Sequence, residues 1–196
     1  KRAVTPHGVQ AVDIGIREGR IAVVAEYEGL REAQTARRLD ASQQIVVPGS
    51  IDPHVHCAWP IPSPDGSAPL RTAPPADVSR AALYGGTTTM IDFAVWNPGE
   101  TLDETIARRD LDWAGQCACD YAYHIMLQGQ VPGEVLEQLG RKIDEGYPSV
   151  KIFTTDITPS RRGRMIRFGD IWEILKVTAS HGGLGVIHAE DNDIVI

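Results

Sequence analysis

The stretch from residue 48 to residue 57 reads PGSIDPHVHC, and the pattern of the chain changes there. Before it, short segments alternate between apolar and polar residues, which is the period of half-buried strands. After it, short apolar runs alternate with patterns typical of helices. We therefore predict a small β domain at residues 1–47 and the first part of a second, α/β domain at residues 48–196.

The first domain contains four predicted strands, at residues 9–16, 21–25, 36–39 and 44–47. The first two form a predicted hairpin, because Glu-Gly-Arg at residues 18–20 is a turn signal. Many small β domains share this pattern, so it indicates no function by itself.

The second domain alternates predicted strands with predicted helices, and this order indicates a parallel sheet built from βα units. Such a sheet is either open and doubly wound or closed into a barrel. No strand is followed by the glycine-rich phosphate loop of the open form, whereas polar residues of metal-ligand type follow several strands, where barrel enzymes place their chemistry. The sequence therefore predicts the first five strands of a truncated (β/α) TIM-type barrel. The strands are predicted at residues 51–57, 87–93, 121–127, 149–155 and 184–188, and the helices at residues 75–84, 101–114, 133–146 and 168–182.

The composition is that of an ordinary soluble globular protein, with 42% hydrophobic and 23% charged residues. The formal net charge of -7 makes nucleic acid and anionic membrane surfaces poor partners. No apolar run is long enough for a transmembrane helix, and three sparse cysteines favour a reducing, cytoplasmic location over a disulfide framework. The chain starts without Met and closes inside a predicted helix, so we expect it to be part of a longer protein.

The stretch DPHVH at residues 52–56 carries the first candidate site. Residues two apart on a strand face the same side, so His54 and His56 are predicted to point into the barrel, and Val55 and Cys57 away from it. Two imidazoles one strand step apart can bind one metal ion, since His is the commonest metal ligand. The alternative is that they are packed histidines of the core or of a loop.

Lys151 lies inside the predicted strand at residues 149–155, and His188 ends the predicted strand at residues 184–188. A lysine inside an apolar strand is rarely buried without a partner. Lys151 is therefore either a side chain that reaches solvent at the strand edge, or an amine of lowered pKa that reacts with CO2 to give a carbamate able to bridge two metal ions. His188 is either a capped strand end or a third imidazole ligand, with Glu190 and Asp191 orienting ligands or capping the next helix. Together with the His-x-His pair, these residues predict a metal site.

The remaining candidates favour structural roles. His124 lies mid-strand and is predicted to be a core imidazole, and Asp92 is predicted to be buried and hydrogen-bonded rather than a ligand. Cys117 and Cys119 lack the partner pair of a zinc ribbon. The basic loop RRGR at residues 161–164 is either a solvated turn or a lid over the barrel mouth.

Several of these motifs resemble those of a known family. The stretch VPGSIDPHVH at residues 47–56 resembles the PG-x-ID-x-H-x-H signature of the amidohydrolase superfamily. The stretches GGTTTMIDF at residues 85–93, CDY at residues 119–121, SVKIF at residues 149–153 and HAED at residues 188–191 are similar, in order and spacing, to the dihydropyrimidinase and hydantoinase branch of cyclic amidohydrolases. The resemblance covers most of the chain.

The resemblance implies a barrel inserted into a β-sandwich and two divalent metal ions, with zinc as the expected metal. By position, His54 and His56 would bind the first ion, His188 would bind the second, and a carboxylated Lys151 would bridge them. The implied reaction is hydrolysis of a small cyclic amide or imide of the hydantoin or dihydropyrimidine type by a metal-bridging hydroxide. The general-base Asp and a further His ligand are expected beyond Ile196, and the implied assembly is a homotetramer.

One position departs from the pattern of the family. Hydantoinases carry a Tyr five residues after the lysine, which holds a carbonyl oxygen of the substrate, and this chain has Asp156 there. The exact substrate therefore stays open, and an allantoinase-like activity is an alternative. Two further alternatives are a catalytically inactive dihydropyrimidinase-related assembly protein and a mononuclear amidohydrolase in which Lys151 is unmodified.

Overall fold

The computed structural model describes residues 2–61, 70–156 and 162–195, and the chain divides into two compact units, Lys1–Gly49 and Ser50–Ile196. The elements follow one another in the order β1 (Arg2–Thr5), β2 (Gly8–Gln10), β3 (Val12–Arg17), β4 (Arg20–Glu26), β5 (Ile45–Val46), β6 (Ser50–Asp52), β7 (Pro60–Ile61), β8 (Leu70–Arg71), α1 (Pro75–Tyr84), β9 (Thr87–Val95), α2 (Leu102–Trp113), β10 (Asp120–Met126), α3 (Gly133–Asp144), β11 (Ser149–Phe153), α4 (Phe168–Ser180), β12 (Leu184–His188) and α5 (Asn192–Val195).

The first unit contains two small sheets. In one, β1 pairs antiparallel with β2 and parallel with β5, which corresponds to the predicted strand at residues 44–47. In the other, β3 and β4 form the predicted antiparallel hairpin. This hairpin turns at Glu18 and Gly19, whose φ angles of 51° and 72° are typical of tight hairpin turns. The predicted strand at residues 9–16 is interrupted at Ala11, between β2 and β3.

The predicted strand at residues 36–39 is wrong. This part of the chain is irregular, and the Nη2 of Arg38 donates hydrogen bonds to the carbonyls of Leu30, Arg31 and Ala33 at 3.0, 3.2 and 3.1 Å. The side chain thus ties this segment back to residues 30–33. The segment folds on itself instead of pairing with a neighbouring strand.

The second unit is built on a five-stranded sheet in which all neighbouring strands are parallel. The strands lie side by side in the order β6, β9, β10, β11, β12, which is also their order along the chain. In a doubly wound sheet the order reverses at a switch point. Here the winding continues in one direction, as it does in a (β/α) barrel. The sheet is a parallel half-barrel, in agreement with the predicted alternation of strands and helices.

Helices α2, α3 and α4 contribute to one apolar core together with β10 and β11. Helix α2 begins with a capping box, since Thr101 Oγ1 accepts from the N–H of Glu104 and the Glu104 carboxylate accepts from the N–H of Thr101. The core includes Leu102, Ile125, Leu139, Val150, Ile152 and Ile174.

Within the described ranges, no helix is long and apolar enough to cross a membrane.

The predicted strand at residues 51–57 is shorter in the structure. Strand β6 ends at Asp52, and Pro53, which has no N–H to donate, begins a segment outside the regular ladder. This segment stays beside β9, because the N–H of Val55 donates to the carbonyl of Ile91 at 3.1 Å. The two predicted histidine ligands therefore lie just beyond a strand end.

Candidate metal centre

His54 and His56 lie on the segment that follows β6, at the carboxyl edge of the parallel sheet. Their side chains are exposed, whereas Val55 and Cys57 are 9% and 1% exposed. Side chains thus alternate as predicted, although the strand itself has ended. The two imidazole centroids are 5.1 Å apart, which matches the separation of about 5 Å expected for two imidazoles bound to one zinc ion in tetrahedral geometry.

Aromatic rings surround the two histidines. The ring of Phe93, on β9, lies 4.8 Å from that of His54 and 5.0 Å from that of His56, measured between centroids. The indole of Trp59 also contacts His56, with its centroid 4.4 Å from that of His56 and 6.3 Å from that of Phe93. These rings limit the orientations that the imidazoles can adopt.

Lys151 lies on β11 and is 5% exposed. Its Nζ is 5.0 Å from the ring centroid of Phe153, and within the described ranges it forms no ion pair with a carboxylate. Burial lowers the pKa of its amine below the usual value of 10.5. A buried amine without a counter-charge is costly, and carboxylation would turn it into an anion suited to bind cations.

His188 ends β12, where it pairs with Phe153, two residues after Lys151 on the neighbouring strand β11. Its ring centroid is 5.0 Å from that of Phe153, and its Nε2 is 2.8 Å from a carboxylate oxygen of Glu190. A carboxylate on one ring nitrogen commonly orients an imidazole whose other nitrogen binds metal. The carbonyl of His188 accepts from the N–H and the hydroxyl of Thr154, which ties this strand end to β11.

The four predicted ligands influence one another electrostatically. The pKa of His54 lies below its usual range, first because of partial burial and then because the positive charge of Lys151 disfavours a second cation, with His188 acting in the same direction. Burial also lowers the pKa of His56. Lowered values keep imidazoles neutral, which is the state that binds metal. In the part of the chain that the structure describes, no group of three or more His, Cys, Asp or Glu side chains is placed to hold a metal ion.

His124 has a structural role, as predicted. It is buried, its Nε2 lies 2.8 Å from the carbonyl of Pro53, and its Nδ1 lies 2.6 Å from the hydroxyl of Ser149. Because a carbonyl only accepts, Nε2 carries the proton and Nδ1 accepts from Ser149. His124 therefore holds the main chain beside His54.

Asp156 is occupied by the loop that follows β11. Its Oδ1 accepts from the N–H groups of Arg164 and Met165 at 2.9 and 2.8 Å, and its own N–H donates to Asn192. Partial burial would raise the pKa of Asp156, but the N–H groups of this loop, including that of Gly163, outweigh it and lower the pKa. A carboxylate in this state accepts hydrogen bonds and cannot donate one to a substrate carbonyl.

The predicted basic loop at residues 161–164 is only partly described, since Arg161 lies outside the described residues. Arg164 is anchored, because its Nη1 donates to Oε1 of Gln128 at 2.5 Å, and Gln128 donates in turn to the carbonyl of Trp96 at 2.9 Å. These contacts attach the loop to the segments that follow β9 and β10. A role of the loop as a lid stays a prediction.

Asp92 and Arg109 form a buried ion pair that the sequence only partly indicates. Asp92 is 0% exposed, and its Oδ2 lies 2.6 Å from Nη2 of Arg109 on α2. The acid inside the apolar strand TTTMIDF is the signal for Asp92. The local pattern of α2 gives no signal for Arg109, since an arginine on a helix is usually solvated.

Comparisons with known proteins identify the family. No protein-family model matches the chain. Curated relatives include a D-hydantoinase of Streptomyces coelicolor, 33% identical over 183 residues, and an allantoinase of Bacillus licheniformis, 30% identical over 192 residues. The alignments cover 91% and 96% of this chain, but 37% and 40% of the relatives. A solved structure of D-hydantoinase (dihydropyrimidinase) from a Thermus species matches with a TM-score of 0.79 at 25% identity, over 98% of this chain and 39% of that one.

The chain thus spans about two fifths of the length of the proteins that it matches. The similarity extends over nearly all of the chain, and the parallel half-barrel agrees with it. The chain belongs to the hydantoinase/dihydropyrimidinase family of amidohydrolases.

Proposed function

We propose that the full-length protein hydrolyses a C–N bond in a cyclic amide or imide of the hydantoin or dihydropyrimidine type. The observation that carries this proposal is the placement of Lys151, a buried amine without a counter-charge among the described residues, at the same edge of the sheet as His54, His56 and His188. The names of the relatives supply the substrate class.

In this proposal the site holds two divalent metal ions, and zinc is the metal proposed. His54 and His56 would hold one ion and His188 the other, while the neutral amine of Lys151 reacts with CO2 to form a carbamate and release a proton. When bound, the ions would lower the pKa of a water and stabilise negative charge on the substrate oxygen. Glu190 keeps the imidazole of His188 oriented, and Phe93 limits the tilt of the His54 and His56 rings.

The rest of the longer protein would complete the architecture. We propose that it closes the half-barrel into a (β/α) TIM-type barrel and adds strands to the first unit to form a β-sandwich. Ile16 and Ile21 on the hairpin of that unit are 72% and 67% exposed, as expected of a sheet that packs against a second sheet in the longer protein. The general-base Asp would lie beyond Ile196. A cytoplasmic homotetramer is part of the same proposal.

Asp156 bears on which cyclic substrate the protein opens. Asp156 stands where a donor to the substrate carbonyl is expected, yet it serves the loop after β11. The match to an allantoinase favours a second candidate, in which the substrate is allantoin, a hydantoin ring that bears a ureido group. The charge of Asp156 makes a polar, uncharged ring substituent of this kind more favourable than an anionic one.

The test is ring opening by the full-length protein reconstituted with zinc, measured by chromatography of the carbamoyl products from hydantoin, dihydrouracil and allantoin. A His54→Ala variant is the matched negative control. Turnover of one ring, lost in the variant, supports the proposal and selects the substrate. A protein that binds metal but opens none of these rings would overturn it, and one that binds no metal would favour the inactive assembly protein.

A further inference from the structure

Side chains from distant parts of the chain hold the segment at residues 53–59 after it leaves the sheet. The carbonyl of His56 accepts from the hydroxyl of Thr72 at 2.6 Å, and the same oxygen of Thr72 accepts from the N–H of Trp59 at 2.8 Å. The carbonyl of Ala58 accepts from the guanidinium of Arg71 at 2.8 Å. The position of the histidine pair is therefore set by these side-chain contacts together with the single main-chain hydrogen bond from Val55 to Ile91 of β9.

Asp92 also binds this segment, through Cys57 and Trp59. Its Oδ2 accepts from the N–H of Cys57 at 2.9 Å and from Nη2 of Arg109 at 2.6 Å. Its Oδ1 accepts from the indole N–H of Trp59 at 2.8 Å and from the N–H of Phe93 at 2.6 Å. Four donors fill the four lone-pair sites of one carboxylate. Asp92 is therefore placed to orient its neighbours rather than to bind a metal ion itself.

Arg109 binds Asp92 and is itself held by several other groups. Its Nη2 also donates to the carbonyl of Cys57 at 2.5 Å, and its Nη1 donates to Asp112 at 3.0 Å. The guanidinium lies 5.9 Å from the ring centroids of both Trp59 and Trp113. A planar cation held by two carboxylates, a carbonyl and two indoles has little freedom to move.

The two aromatic residues that donate to Oδ1 of Asp92 are the same two that flank His56. The ring of Trp59 is 4.4 Å from the imidazole of His56, and the ring of Phe93 lies stacked at 5.0 Å from it. A displacement of Asp92 would therefore change the positions of the Trp59 and Phe93 rings. The orientation of His56 is thus linked to a carboxylate that does not contact it.

We infer that Asp92, braced by Arg109, is a positioning residue that fixes the imidazole of His56 through Trp59 and Phe93 so that the His54–His56 pair is preorganised to bind metal. The inference rests on the proposed metal site and goes beyond it by assigning a role to residues that would not touch the metal. Groups that orient ligands in this way typically change metal affinity by about 10- to 100-fold.

The experiment compares variants of the full-length protein after removal and readdition of metal. Asp92→Asn keeps the shape of the side chain but turns one acceptor oxygen into a donor that faces other donors. Trp59→Phe keeps an aromatic ring beside His56 and removes the indole N–H together with one of the two fused rings. Glu100→Gln is the matched control, because the carboxylate of Glu100 pairs with Arg108, the neighbour of Arg109 on α2, and not with Arg109 or Asp92.

Zinc affinity is measured by competition with a chromophoric chelator, and ligand geometry by the visible spectrum of the cobalt-substituted protein. We expect Asp92→Asn to weaken zinc binding by about 10- to 100-fold and to shift the cobalt spectrum, Trp59→Phe to do both to a smaller extent, and Glu100→Gln to do neither. The double variant should lose less than the product of the single losses, since both act through one hydrogen bond.

The outcomes separate the two proposals. A wild-type protein that binds no metal would overturn the proposed function and this inference together. A wild-type protein that binds zinc, with Asp92→Asn equal to it in affinity and spectrum, would overturn only the inference. If Asp92→Asn does not fold, Trp59→Phe decides alone, and unchanged affinity and spectrum in that variant would likewise contradict the positioning role.

Discussion

Lys151 shows how one residue can favour metal binding at the expense of the metal-free fold. Its amine is buried against Phe153 and lacks a carboxylate partner in the described part of the chain. We expect Lys151→Met in the full-length protein to lower metal content and to leave the metal-free protein equally or more stable, since the variant removes a desolvated charge. Elemental analysis and urea unfolding measure the two effects.

Lys176→Met, which removes an exposed lysine paired with Glu173, is the control and should change neither metal content nor stability. Metal content in the Lys151 variant equal to that of the wild type would contradict the bridging role.

The lowered pKa of Lys151 gives a prediction about reactivation. Only the neutral amine reacts with CO2, and burial moves its pKa below 10.5. After a chelator and mild acid have removed metal and carbamate, recovery with zinc and bicarbonate should rise with pH through this lowered pKa and level off above it. It should begin at a lower pH than the carboxylation of a free lysine side chain. Recovery that is independent of bicarbonate would show that Lys151 acts unmodified.

Arg109 should matter more for folding than its neighbour Arg108. Removing one member of a buried ion pair leaves an uncompensated charge and costs about 3–5 kcal/mol, and Asp92 is fully buried. Arg109→Met should therefore reduce the free energy of unfolding far more than Arg108→Met, whose ion pair with Glu100 is partly exposed. Chemical denaturation of both variants checks this expectation. Equal losses would show that the buried pair contributes no more than the surface pair.

At the scale of elements, Asp156 organises the loop after β11. Asp156→Ala removes the acceptor for the N–H groups of Arg164 and Met165, so hydrogen exchange at these two amides should become faster. Because the N–H groups lower the pKa of Asp156, the same protection in the wild type should persist at neutral pH and decline only as pH falls through that lowered pKa. Exchange measured by mass spectrometry checks both statements. The amide of Glu104, in the capping box of α2, is a control whose exchange should not respond to the variant.

The elements themselves were largely predictable, because helix and strand periods are local properties of the sequence. Two errors involve side-chain hydrogen bonds to the main chain. Strand β6 ends before Pro53, and Asp92, Thr72 and Arg109 then bind main-chain groups of residues 53–59. Where a strand was predicted at residues 36–39, Arg38 instead binds carbonyls of residues 30, 31 and 33. Hydrogen bonds of this kind leave no periodic trace.

Some residues of the candidate site could likewise be predicted from the sequence, and others could not. His54, His56, Lys151 and His188 could be proposed from the sequence because each is an unusual residue within or at the end of a predicted strand. The support of Asp92 by Arg109 could not, since the two residues are 17 positions apart in the chain and belong to different elements. Only the packing of α2 against β9 brings them together.

At the scale of the whole molecule, the parallel sheet has two outer strands, β6 and β12, among the described residues. Both carry exposed apolar side chains: Ile51 is 62% exposed, Leu184 65% and Ile187 40%. Unpaired strand edges with apolar side chains are templates for association. In a closed barrel these two edges would be covered by further strands.

We therefore expect residues 1–196, produced alone, to self-associate and to bind a dye specific for exposed apolar surface, whereas the full-length protein should bind little of it. Sedimentation velocity over a range of concentrations measures the association. Ile51→Lys and Leu184→Lys, which place a charge on each outer strand, should reduce association of the segment, and Leu111→Lys, at an 85% exposed position on α2, should reduce it less. A segment that stays monomeric at all concentrations would show that the half-barrel protects its own edges, and the need for a completed barrel would then rest on catalysis and not on stability.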